Sequence, residues 1–216
     1  MYIIYTKLIQ ANLKSRETAT IEEYENICKE NSCHEVISDT DPVKLYYDFD
    51  YDCSLSENRT EECKDNTLEI IDVAKKAIKD ILYELYPDKN CPLFAVKIQS
   101  SHSYLDYQLK IYKWKISFHL IVTNYCMLKK QQDYFTRKIN KYILKEHKDL
   151  YKIHELIDYN QKFTFFDISL YHSCSKLRNV YCSKPGENRP SVLVEGTFID
   201  TLVTYIDEKC QLIEYH

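Results

Sequence analysis

No stretch of this sequence stays apolar for anything near the roughly 20 residues that a helix needs to cross a bilayer, and no membrane span is expected. The opening residues, MYIIYTKLIQ, have no basic leader, no long apolar segment and no small-residue cleavage site, so they are not read as a secretory signal. Glycine is almost missing, at two in 216 residues, and proline numbers five. No tract rich in Pro, Gly or Ser divides the chain, and no internal repeat or low-complexity segment is visible. A single domain over residues 1–216 is the simplest organisation. The nine cysteines are odd in number and scattered. Without an export signal they read as free thiols in a reducing, intracellular setting.

What is there is globular: 44% hydrophobic and 29% charged residues exclude a disordered chain. The 20 tyrosines, with many Ile, Lys and Asn, fit AT-rich codons and core filling better than any one chemistry. A net charge of −4 says nothing in favour of a nucleic-acid partner, but the charge is unevenly spread. Lys110 to Arg189 carries 16 Lys and Arg against 7 Asp and Glu, while the remainder carries 13 against 26. A basic half facing an acidic half suits a binder of a phosphate polymer that also holds metal ions. A solvated basic helix around Lys129–Lys148 accounts for the same charge without a partner.

Helices are expected over Ile21–Glu30 behind Thr18 or Thr20, from Asn66 or Thr67 to about Tyr86, and over Leu128–Lys148. In the second, Ile70, Ile71, Ala74, Ile78, Ile81, Leu82 and Leu85 share one face, and Pro87 ends it. Strands are expected at Val36–Ile37, Val43–Phe49, Pro92–Ser101, Lys115–Val122, Lys162–Ser169, Lys176–Ser183 and Ser191–Glu195. Cys53–Asn66 and Ser101–Lys113 read as loops and Lys184–Pro190 as a tight turn, with a terminal helix over Thr197–Tyr205. The pattern is α+β, or mixed α/β, built on one central mixed sheet.

Three stretches carry chemistry. In VKLYYDFDYD, an apolar strand runs into carboxylates at every second position, Asp48, Asp50 and Asp52. Residues i and i+2 of a strand share a face about 6.5–7 Å apart, so these acids repel one another unless a cation lies between them. Hard oxygen ligands of this kind suit Mg²⁺ or Mn²⁺. In KWKISFHLIV, Ile116, Phe118, Leu120 and Val122 form an apolar face, and Lys115, Ser117 and His119 form a polar one. A cation, a hydroxyl and an imidazole in a row suit a triphosphate. In FTFFDISLYHSCSKLRNVYCSKPGENRP, Asp167 follows aromatic residues, Arg178 comes eleven residues later, and Lys184 stands at a Pro-Gly turn. Asp167 reads equally as a turn cap or as a ligand.

In this order and spacing the three blocks resemble the archaeo-eukaryotic primase superfamily, and within it the primase-polymerase group of eukaryotes, large DNA viruses and plasmids. The family's D-x-D after hydrophobics is matched by LYYDFD, its S-x-H on a strand by KISFHLIV, and its acid, Arg and S-x-K segment by FFDISLYHSCSKLRNVYCSKPG with Asp167, Tyr171, Arg178, Ser183 and Lys184. The resemblance covers residues 44–190. It implies a primase core whose RRM-like palm sheet is flanked by helices. It implies catalytic metals, Mg²⁺ or Mn²⁺ in a two-metal site, on Asp48, Asp50 and Asp167. Lys115, Ser117 and His119 would bind the nucleotide phosphates, with Arg178 and Lys184 completing the triphosphate pocket. The implied activity is template-dependent nucleotidyl transfer from an NTP or dNTP to a 3′-hydroxyl in DNA replication or repair. Single-stranded DNA template and primer would be partners, together with a separate helicase, in the cytoplasm or nucleus, including that of a virus-infected cell.

The chain departs from that pattern in lacking a helicase domain and an appended zinc module. CKENSCH, Cys28 to His34, is its best zinc candidate, but third and fourth ligands at tight spacing are missing, so zinc is not expected. The alternative function is a non-catalytic nucleic-acid-binding accessory or a truncated remnant of a primase-helicase. A rolling-circle nuclease would need a His-hydrophobic-His pair, and His119 is followed by Leu-Ile-Val. A purely structural protein leaves the Lys-Ser-His row unexplained. The loop with Tyr104, Tyr107 and Tyr112 is a candidate for stacking on bases, and the basic helix is a candidate surface for tracking a phosphate backbone.

Overall fold

The structure is a computed structural model that describes residues 2–10, 13–30, 32–53, 60–99, 103–106, 111–150, 156–157, 164–172, 176–183 and 189–215. It is an α+β fold with three helices and two sheets. The strands are β1 (Tyr2–Gln10), β2 (Leu13–Thr20), β3 (Cys33–Val36), β4 (Pro42–Cys53), β5 (Phe94–Gln99), β6 (Ser103–Asp106), β7 (Ile111–Leu128), β8 (Leu156–Ile157), β9 (Lys176–Arg178), β10 (Ser191–Glu195) and β11 (Gln211–Leu212). The helices are α1 (Ile21–Glu30), α2 (Thr60–Leu85) and α3 (Lys129–Glu146). No helix among the described residues is long and apolar enough to cross a membrane.

The larger sheet is spined by β7. Its antiparallel order is β10-β5-β7-β4-β8, with β6 on the N-terminal part of β7 and β11 parallel to its C-terminal part. The alternation in β4 and β7 decides which face meets the helices. Leu45, Tyr47 and Phe49 of β4 and Ile116, Phe118, Leu120 and Val122 of β7 all bury against α2 and α3. From α2 they meet Ile70, Ile71, Ala74, Ile78, Ile81 and Leu82, and from α3 Phe135, Ile139 and Ile143. The register of β4 on β7 shifts between Lys44 and Leu45, which face Cys126 and Val122. On the other side of β7 at this bulge, Asn124 accepts from Leu93 N at 2.8 Å and donates to Cys91 O at 3.0 Å, tying the segment that leads into β5.

The smaller sheet, β2-β1-β3-β9, is antiparallel. Its β3 and β9 lie towards the other face of the large sheet, where Ile37, Val43, Tyr46, Ala95, Ile121, Tyr171, Leu177 and Val203 form a second core. A third core joins α1 to the chain after β9 through Tyr24, Cys28, Cys33, Val180, Cys182, Phe198 and Leu202. The start of α1 is a capping box: Thr20 N donates to Glu23 Oε2 at 2.9 Å, and Glu23 N donates to Thr20 Oγ1 at 3.3 Å.

Several elements differ from the sequence reading. The β1–β2 hairpin was not expected. Helix α2 starts at Thr60, inside the expected loop, of which residues 54–59 lie outside the described residues. Part of the expected loop 101–113 is the β6–β7 hairpin, with Leu105 opposite Tyr112; the side chains of Tyr104 and Tyr112, and all of Tyr107, lie outside what is described. Lys162–Ser169 is not a strand where it is described. Asn140 takes both backbone groups of Phe166, accepting from its N at 2.8 Å and donating to its O at 2.9 Å, so the segment has a side-chain partner in place of a ladder. Ser169–Tyr171 then closes a 3-10 turn. Beyond Arg178 the chain turns through Tyr181, which has a φ of 70°. Of the expected terminal helix only the 3-10 turn Ile199–Thr201 forms. Asp200 Oδ2 caps it by accepting from Thr197 N and Oγ1, and Leu202 is already extended.

Candidate active site

The face of the large sheet turned away from α2 and α3 changes character along its length. At one end Tyr46, Ile121 and Ala95 lie in the second core. One step on, Asp48 is opposite His119, and His119 is opposite Lys97 of β5. The next step pairs Asp50 with Ser117, and the next Asp52 with Lys115. This answers why an apolar strand ends in acids: β4 leaves the second core at Tyr46, and along the same face the side chains go from buried Tyr46 through half-buried Asp48 to exposed Asp50. The D-x-D stretch and the S-x-H stretch, remote in sequence, are thus one two-stranded ribbon.

The side chains are paired across it. Lys115 Nζ lies 2.9 Å from Asp50 Oδ2, and His119 Nε2 lies 3.3 Å from Asp48 Oδ1. Asp50 is exposed, Asp48 and Lys115 are half-buried, and Ser117 and His119 are buried. Asp167 arrives along the free edge of β4, where its backbone N–H donates to Asp48 O at 3.0 Å. That edge is sealed by Tyr171, whose hydroxyl donates to Tyr46 O at 2.5 Å, and by Gln132, which accepts from Tyr46 N at 3.3 Å. Asp167 is also the turn cap that its sequence context allowed: Oδ1 accepts from Ser169 N and Oδ2 from Ser169 Oγ, both at 2.8 Å. Each of its oxygens keeps a lone pair for a further partner.

Burial, then Asp50 and then Asp167 push the Asp48 carboxyl up to about 7, against the opposing pull of Lys97 and Arg178. Six of the groups singled out from three sequence blocks, Asp48, Asp50, Asp167, Lys115, His119 and Arg178, therefore act on one another. The carboxylates are nonetheless not closed around one point. Among the described residues, the one group of three Asp, Glu, His or Cys side chains whose ligand atoms all lie within 4.8 Å is Cys28, Cys33 and Cys182. Asp48 and Asp50 are separated as i and i+2 must be, and Lys115 occupies one side of Asp50. The residues fit a divalent cation in donor chemistry: oxygen ligands, mutual repulsion, and a carboxyl that burial and neighbouring acids push up. Arg178 is at the end of β9, with His34 of β3 opposite it. Its guanidinium donates to the side-chain oxygen of Gln99, a residue on the same face of β5 as Lys97. Lys184 lies outside the described residues.

Two buried charges, Lys97 on this face and Glu35 on the small sheet, were missed by the sequence reading. Lys97 is fully buried, and its ammonium donates to the backbone oxygen of Arg178. Burial lowers it to about 8, despite the upward pull of Glu35, Cys182 and Asp48. Glu35 of β3 is also fully buried, accepting from Val203 N at 3.1 Å and from Thr204 N and Oγ1 at 2.9 and 2.6 Å. Lys97 could have been found by the same anomaly as Asp48, a charge interrupting an apolar strand in FAVKIQ. Helix α3, in contrast, packs on the opposite face of the sheet from the acids. Its Lys129, Arg137, Lys138 and Lys145 are ion-paired with Asp39, Asp133, Glu84 and Glu146.

No protein-family model matches the chain, and no curated protein matches it. The arrangement itself, acids beside a Lys-Ser-His row, carries the functional reading.

Proposed function

We propose that the chain is a DNA primase-polymerase catalytic domain of the archaeo-eukaryotic primase type, an enzyme that transfers nucleotides from NTP or dNTP to a 3′-hydroxyl on a DNA template. The observation that carries this reading is the cross-strand order Asp48–His119, Asp50–Ser117 and Asp52–Lys115, with the Asp167 backbone bonded to Asp48. An antiparallel sheet with helices on one face and these acids on the other supports the reading of a palm.

Asp48, Asp50 and Asp167 would hold Mg²⁺ or Mn²⁺, which supplies Lewis acidity toward the attacking hydroxyl and the leaving pyrophosphate. The rest of the task falls to the chain. Lys115 and His119 lie beside the carboxylates, so they orient the phosphates of a nucleotide bound there, and Ser117 offers a hydroxyl between them. Arg178, pinned by Gln99 and backed by Lys97, extends the positive rim, and Lys184 would complete it. The 3′-hydroxyl would lose its proton to solvent as its oxygen bonds to the α-phosphorus, the bond from the α-phosphorus to the bridging oxygen breaks, and pyrophosphate leaves.

Asp50 is the sharpest test because it is exposed and its removal leaves the core intact. Asp50→Ala is expected to abolish Mn²⁺-dependent incorporation of nucleotides on a primed single-stranded template, with an unchanged circular-dichroism spectrum. Incorporation retained at the wild-type rate would overturn the assignment. Template binding by a wild-type chain that never incorporates, with either sugar type and either metal, would favour the accessory-protein reading instead.

A further inference from the structure

Cys28 and Cys33 leave a pair of thiols without a partner in sequence, and the fold supplies one. Cys28 lies in the last turn of α1, Cys33 starts β3, and Cys182 follows β9 by four residues. Their three sulfurs lie within 4.8 Å of one another, and all three residues are fully buried. We propose that Cys28, Cys33 and Cys182 form a thiolate site for a borderline-soft divalent cation of the zinc class. This site staples α1 and β3 to the segment that carries Arg178.

Tetrahedral zinc with sulfur at about 2.3 Å sets its sulfurs roughly 3.8 Å apart, so the cluster needs only a small contraction to close on an ion. The four residues between Cys28 and Cys33 fall within the usual spacing of a metal knuckle. The N–H of Cys33 donates to Cys182 Sγ at 3.3 Å, the kind of outer bond that orients and stabilises a ligating thiolate. The buried Lys97 adds positive charge close enough to act on Cys182. A disulfide would use two of the three sulfurs and strand the third. Neighbouring bonds already join the same segments: Asn179 N donates to Cys33 O at 3.2 Å, and Ser32 Oγ donates to Ser183 O at 2.8 Å. Among the described residues the cluster supplies three sulfur ligands. The hard-cation chemistry of the carboxylate face is distinct from this one, and the inference does not depend on nucleotidyl transfer.

The test is metal content of the full chain. Protein expressed with added zinc and purified under reducing conditions is expected to hold about one zinc per chain by plasma mass spectrometry, as a single structural site would. Cys182→Ser should lose it, whereas Cys91→Ser, at an exposed cysteine outside the cluster, should keep it. Should Cys182→Ser fail to fold, metal-stripped wild-type protein titrated with Co²⁺ provides the second measurement. The expected result is a near-ultraviolet thiolate-to-cobalt band, with Cys28, Cys33 and Cys182 protected from alkylation and Cys91 still modified. Absence of both zinc and the cobalt band, protection of other cysteines, or a disulfide within the trio in freshly purified protein would each overturn the proposal. None of these readouts involves polymerisation, so a failed polymerase assay leaves them intact.

Discussion

Asp48 stands beside Asp50 and Asp167 where β4 leaves its core, and its carboxyl is pushed up to about 7 by burial and by those two charges. In the metal-free protein the consequence for stability has a definite sign. Between about pH 4 and pH 7 the unfolded chain has released this proton while the folded chain keeps it. The folded state binds more protons there, so stability falls as pH rises through the window, and the full penalty is present above it. Asp48→Asn removes the titration. With chelator present, this variant is expected to melt within about 1 °C of wild type at pH 4. At pH 8 it should melt at least about 4 °C higher, since ~1 kcal/mol moves Tm by about 2–4 °C in a chain of this size. Equal melting at pH 8 would show that the carboxylate is not electrostatically strained. The same substitution should abolish incorporation, the usual exchange of stability for function at a strained site. At His119 the expectation is kinetic. His119→Ala should raise KM for nucleotide about tenfold, the loss of one charge-assisted hydrogen bond, while template affinity stays within about twofold. Equal losses in both would mark His119 as structural. These residues were legible in the sequence because each breaks its local pattern: an acid or a polar row on a strand that otherwise reads as core.

Elements were legible where one period dominates. The apolar stripe of α2 and the alternation in β7 come from repeated burial on a single face, and both formed. The stretch Lys162–Ser169 failed because its aromatic residues mark burial and not strand. Phe165 and Phe166 do bury in the main core, yet the backbone bonds that would build a ladder go to Asn140. The pairing of β11 with β7 depends on contact between remote segments that no local pattern encodes, whereas the β1–β2 hairpin is a local pairing of adjacent strands that the sequence reading did not recognise. Asn140 therefore positions Asp167 without touching it. Asn140→Leu keeps the volume but leaves Phe166 N and O unpaired in the core, at a cost of about 2–4 kcal/mol in urea unfolding. Incorporation should fall at low Mn²⁺ and recover at high Mn²⁺, because the carboxylate of Asp167 is displaced and not removed. A loss of stability with no shift in the Mn²⁺ requirement would show that the 164–171 segment is held by its other contacts.

At the scale of the molecule, the two sheets meet through a buried polar link. Glu35 from the small sheet and Lys97 from the large one are both fully buried. Each lies close enough to favour the other's charged form, and burial opposes both. The charge excess of residues 110–189, visible in composition, does not concentrate on the acidic face. Much of it lies on α3, across the sheet and paired with neighbouring acids. Of that segment, Lys115 and Arg178 reach the site, and the buried Lys97, from outside it, holds the Arg178 backbone with its ammonium. Removing one member of such a pair strands the other in an apolar setting, whereas removing both relieves the desolvation of both. Lys97→Met and Glu35→Leu are each expected to destabilise the protein by about 3 kcal/mol or more, and the double variant by clearly less than the sum. A strictly additive cycle in urea unfolding at neutral pH would mean that the two charges are satisfied independently. Were the cycle coupled, nucleotide affinity should still drop in the double variant. Its refolded core would have no ammonium to anchor Arg178, which separates the part of Lys97 that holds the sheets together from the part that builds the site.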